Sequence, residues 1–111
     1  MPHFLCRLTN PRKAPLADLS GEELTLMDAH VAYWRPYVEV GRVAAMGPVD
    51  DPAGAWGVAI IEADSREEVE ALQARDPVIR SRRGFAYENF LMPKVALRPV
   101  EPRAAVSTVS P

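Results

Sequence analysis

Several things are scarce in this chain, and each scarcity excludes something. A single cysteine, Cys6, among 111 residues excludes a disulfide framework; set in an apolar run, it reads as a buried, inert thiol in a reducing compartment. The only two histidines, His3 and His30, have no neighbouring ligand at metal spacing, so no metal site is expected. The six glycines form neither a G-x-G-x-x-G nor a Walker pattern after a strand, which leaves no basis for a nucleotide, and no cofactor is expected. An excess of one charge is also missing: a formal net charge of −2 suggests neither disorder nor a nucleic-acid partner. No apolar run approaches the roughly 20 residues of a membrane span, and no basic segment leads into an apolar one, so no membrane partner and a cytoplasmic location are expected.

What is present is a chain with 48% hydrophobic and 25% charged residues, enough for one core and too short for two. His3 to Thr9 is short and apolar-rich and ends at the turn pair Asn10-Pro11, a first strand. Arg12 to Asp18 is basic, contains proline and lacks periodicity, which fits a surface loop, either a plain connection or a lid over a neighbouring cleft. Ser20-Gly21-Glu22-Glu23 has capping-box spacing, and Leu24, Met27, Val31, Trp34 and Val38 then recur on one helical face until Gly41, with a bend expected at Pro36. Arg42 to Met46 and Ala55 to Ala63 read as strands joined by a turn-rich loop from Gly47 to Gly54. Ser65-Arg66-Glu67-Glu68 repeats the capping-box spacing before a helix running to about Arg75. Asp76-Pro77 opens a short helical turn, and a last strand runs from Phe85 to about Leu91.

The order β, α, β, β, α, β with right-handed crossovers predicts an α+β protein: a ferredoxin-like antiparallel sheet with both helices on one face. The other face would be bare and partly apolar, so a homodimer is expected. The domain is placed at residues 1–97. Residues 98–111, rich in Pro, Ala and Ser, are expected to form a flexible tail.

Few side chains here suit chemistry. His30 flanks the apolar stripe one turn before Trp34, at the margin of the core where a cleft would meet it. An imidazole titrates near about 6.5, which suits general acid-base work, although a boundary histidine with a backbone hydrogen bond fits the position as well. Asp76 precedes Pro77 and suits a helix cap; it also suits a carboxylate that orients an imidazole, because two helices on one sheet face can approach each other. Tyr33, Trp34 and Tyr37 fit either the core or a pocket wall. Arg80, Arg82 and Arg83 read as a solvated cluster, with anion binding as the alternative.

The stretch His30-Val31-Ala32-Tyr33-Trp34, then Gly41, Gly47-Pro48 and Gly54, then Asp76-Pro77, resembles the YCII-related family in order and spacing, over about Phe4 to Leu91. The resemblance implies a dimeric α+β barrel built from two ferredoxin-like sheets. It also implies a pocket holding a His-Asp pair, here His30 and Asp76, with Tyr33, Trp34, Gly47 and Pro48 around a substrate. One branch of the family is similar to enzymes that eliminate chloride from a chlorinated hydroxyquinol. The wider superfold includes muconolactone isomerases and cofactor-free monooxygenases. This chain departs from short members of the family by the Arg12 to Asp18 insertion and the proline-rich tail. Two functions follow as expectations: a cofactor-independent lyase or isomerase that moves a proton on a small organic molecule, or a non-catalytic dimeric module that binds a small ligand or a protein.

Overall fold

The computed structural model describes residues 1–99, so the segment expected as a tail lies, but for its first two residues, outside the described residues. Four strands, β1 (His3–Thr9), β2 (Val43–Val49), β3 (Trp56–Glu62) and β4 (Ala86–Met92), form one antiparallel sheet in the order β2-β3-β1-β4. Helix α1 (Gly21–Glu39) joins β1 to β2, and α2 (Arg66–Ala74) with the short α3 (Pro77–Arg80) joins β3 to β4. This is the ferredoxin-like α+β arrangement.

Strand periodicity assigns the faces. Phe4, Cys6 and Leu8 of β1 are buried, and in register they oppose Ile61, Ala59 and Gly57 of β3. Phe4, Cys6 and Ile61 form the core between sheet and helices with Val43, Trp34, Val69 and Leu72, where each large aliphatic side chain contributes roughly 1.5–3 kcal/mol relative to exposure. The intervening residues Leu5, Val58 and Ile60 point the other way.

Two expectations are corrected here. Gly47 and Pro48, assigned to a loop, lie inside β2; β2 is an edge strand, where a proline's missing amide leaves no ladder bond unmade. The pairing also slips between Val43 and Ala45, so Ala44 is an extra residue. That bulge lets Val43 and Met46, three apart, both face the core side. The second capping box is only half formed. Ser65 accepts from the Glu68 amide at 3.1 Å, but the Glu68 carboxylate accepts from the Asp64 amide at 3.0 Å and from Arg42 at 2.9 Å.

The Arg12 to Asp18 segment is more than a connection. It contains a 3-10 turn over Leu16–Asp18, its Ala14 is buried, and the Ala14 carbonyl accepts from the Ala55 amide at 2.9 Å. Gly54, at φ +134°, brings the β2–β3 turn so close that a Cβ there would sit 3.1 Å from the Lys13 Cα. Only glycine fits such an approach and conformation without strain.

The segment is also fastened to the start of α1. Ser20 accepts from the Glu23 amide at 3.1 Å while Glu23 accepts from the Ser20 amide at 2.8 Å, the full capping box. The same carboxylate takes Asn10 Nδ2 at 2.8 Å and a forked contact from the Arg12 guanidinium. The Arg12 bond is the largest cause holding the Glu23 carboxyl well below its ordinary 4.5, to about 2, against the opposing effect of burial. A folded pKa below the unfolded one means the stabilisation is present above about 4.5 and is lost as pH falls toward about 2. Urea unfolding midpoints across that window should therefore fall with acid in the natural protein and fall less steeply in Glu23→Gln; parallel curves would contradict this role for Glu23.

Candidate functional site

The site is built around one carboxylate. Asp76 is fully buried and occupies the N-cap of α3, with Oδ1 accepting from the Val78 amide at 2.9 Å. Its other oxygen, Oδ2, accepts from His30 Nδ1 at 2.7 Å, Trp34 Nε1 at 2.7 Å and the Tyr87 hydroxyl at 2.6 Å. The cap and the imidazole partner are one and the same residue, each function on its own oxygen. His30 and Trp34 come from α1, four residues apart and therefore on one face. Tyr87 comes from β4, opposite Leu8 of β1, and Asp76 is delivered by the α2–α3 junction.

Burial alone would disfavour the charged carboxyl, yet the bonds from His30, Tyr87 and Trp34 outweigh it and leave Asp76 below its ordinary value. Tyr87 moves the opposite way: burial first, then the Asp76 charge, push its hydroxyl up, so it keeps its proton and donates. An ionised carboxylate can only accept, so the hydrogen in the His30–Asp76 bond sits on Nδ1. In the neutral ring the other nitrogen, Nε2, then carries a lone pair. Asp76 fixes the ring as the acid of a nucleophile–base–acid array fixes its histidine.

His30 and Tyr87 border a cavity of about 250 Å³ between α1, the Leu16–Leu19 segment and the sheet. Its walls are apolar, among them Leu8, Leu16, Leu24, Met27, Val31 and Ile61. The stripe read on α1 therefore splits: Trp34 is buried, reaching the cavity from within the core, whereas Leu24 and Val31 are exposed apolar residues that line it. Glu23 and Asn10 border the cavity too, which makes the fastened Arg12 to Leu19 segment its rim. Cys6 lines it as well; burial pushes the thiol up to about 12, which keeps it protonated and a poor nucleophile.

Of the residues expected at the site, His30, Trp34, Gly47 and Pro48 line the cavity and Asp76 stands directly behind His30. Tyr33 does not line it: its hydroxyl donates to the Leu72 carbonyl at 2.6 Å, and its ring packs edge-on against Trp34. Arg80, Arg82 and Arg83 lie away from the cavity, and Arg83 donates to Glu22 at 2.6 Å. The sequence does not mark Tyr87, or Glu23 beyond its cap, as part of the site. Glu23 was visible as a capping residue, but no local pattern marks a strand tyrosine as the partner of an aspartate eleven positions earlier.

Among the described residues, no group of three His, Cys, Asp or Glu side chains could hold a metal ion. No helix among them is long and apolar enough to cross a membrane. No curated protein matches the chain. The profile of the YCII-related domain matches residues 3–90, a span that begins with β1, ends within β4 and takes in His30, Asp76 and Tyr87. The chain belongs to the YCII-related domain family.

Proposed function

We propose that the protein is a cofactor-independent enzyme of the lyase or isomerase type, in which His30 moves a proton on a small organic molecule. The observation that carries this reading is the His30–Asp76 bond of 2.7 Å at the wall of an apolar cavity. Nε2 takes the proton from the substrate, the imidazolium so formed is stabilised by the buried Asp76 charge, and the proton returns to another atom of the substrate or to the leaving group. Low polarity around the site strengthens that charge pairing. Tyr33 belongs to the support of Trp34, and Gly47 and Pro48 to the far wall.

A binding module that uses the same cavity is the second reading. The capping bond from Asp76 Oδ1 favours it, because helix capping alone gives a reason for a buried aspartate here. A screen of hydroxylated aromatics, lactones and quinones, followed by deuterium uptake from heavy water, separates the two. With the substrate so found, His30→Gln should lower turnover by about 10²–10⁴-fold, the usual worth of a positioned acid-base group. Ligands that bind the natural protein without any uptake would leave the cavity as a binding site only, and uptake that survives undiminished in His30→Gln would remove His30 as the base.

We also propose that the protein works as a homodimer through the sheet face away from the helices. Leu5 is flanked in register by Ile60 and Phe90 on that face, and Phe90 is 51% exposed. Burial against a second copy would remove this apolar row from water. The buried, unpaired Cys6 is consistent with a reducing, cytoplasmic setting. Light scattering should give the mass of two chains, and Phe90→Asp should give that of one; a monomeric mass for the natural protein at about micromolar concentration, where specific dimers persist, would remove the dimer.

A further inference from the structure

The polar groups of the cavity decide what the cavity can accept. Among the described residues each nitrogen and oxygen on its lining side chains has a partner, with one exception. Asn10 donates to Glu23 and accepts from the Arg12 amide. Glu23 is saturated by Arg12, Asn10 and the Ser20 amide. Trp34 and Tyr87 donate to Asp76, and Trp56 donates to Asp51 at 3.1 Å. The group left over is His30 Nε2, an acceptor in the tautomer that Asp76 imposes.

Charge is arranged with the same economy. Among the described residues no lysine or arginine lines the cavity, while two carboxylates stand at it: Glu23 in the rim, paired with Arg12, and Asp76 behind His30. An anion entering here would lose its water and meet no cation on the lining, since Arg12 in the rim is already paired with Glu23, a large cost in apolar surroundings. A cation would find both carboxylates already hydrogen-bonded. For size, an apolar cavity of about 150 Å³ accommodates benzene, so about 250 Å³ leaves room for a substituted six-membered ring.

We infer that the site takes an uncharged, ring-sized apolar molecule that presents a single O–H or N–H donor to His30 Nε2, and that it rejects carboxylates and phosphates. This rests on the proton-transfer reading of His30 and narrows it to a substrate class. The apolar walls hold the ring, and the one open acceptor selects the end that reacts. A donor at that end is also the proton that a base on Nε2 would first remove.

Three matched probes test the inference: p-cresol, 4-methylanisole and 4-methylbenzoate, titrated into the whole protein at neutral pH and followed by the ¹⁵N signal of His30 Nε2. p-Cresol should bind and move that signal. 4-Methylanisole, which has lost the donor, should bind roughly 2–10-fold more weakly, the worth of one hydrogen bond, and 4-methylbenzoate at least about 100-fold more weakly, as an unpaired buried charge requires. In His30→Gln the preference for p-cresol over 4-methylanisole should change while a bound ring still perturbs Met27 and Val31. 4-Methylbenzoate binding as tightly as p-cresol, or an anisole as tight as the phenol, would overturn the inferred substrate class yet leave the site standing. If none of the three disturbed His30, the site itself would fall, and with it both the inference and the proton-transfer reading.

Discussion

A carboxylate out of contact with water holds this structure and its site together. An ionised Asp76 at 0% exposure would be strongly destabilising without compensation, and here four donors reach it: a backbone amide in α3, an imidazole and an indole from α1, and a phenol from β4. Removing any one leaves a charge less well satisfied in a dry interior, with costs of about 1–3 kcal/mol per lost partner. The arrangement therefore ties three elements to one point and sets the orientation of His30 as a by-product of stability. Positioning and folding are the same interaction.

The rim of the cavity repeats the device nearer the surface. Glu23 completes the capping box of α1, and the same side chain binds Asn10 and Arg12. A residue whose sequence position explains it as a cap is thereby also the anchor of the Arg12 to Leu19 segment. The turn at Gly54 closes on that segment from the other side. Its leucines are held over the cavity by these polar fastenings, which leaves the cavity-facing side chains free of polar demands.

Much of this was legible in the residues. The strand and helix order, the Ser20 capping box and the Asp76-Pro77 cap follow from local chemistry, because capping and turn signals act over three or four residues. The pairing of His30 with Asp76 came from the family resemblance together with the expectation that both helices share a face. What stayed hidden depends on contacts distant in sequence. Tyr87 reaches Asp76 only because β4 pairs with β1, and Gly47-Pro48 reads as a turn until β2 is seen to be an edge strand with a bulge. The apolar stripe of α1 could not reveal that Leu24 and Val31 are exposed at a cavity while Trp34 is buried at its inner wall, since periodicity gives a face and not what lies beneath it.

The central claim is that Asp76 holds the His30 ring, at the cavity wall, with its hydrogen on Nδ1 and Nε2 bare. Long-range ¹⁵N–¹H correlation spectra of the His30 ring at a pH where the imidazole is neutral read this directly. The account predicts a protonated Nδ1 in the natural protein and loss of that preference in Asp76→Asn, where the cap survives because asparagine caps about as well as aspartate. A ring protonated on Nε2 in the natural protein, or a tautomer unchanged by Asp76→Asn, would contradict it.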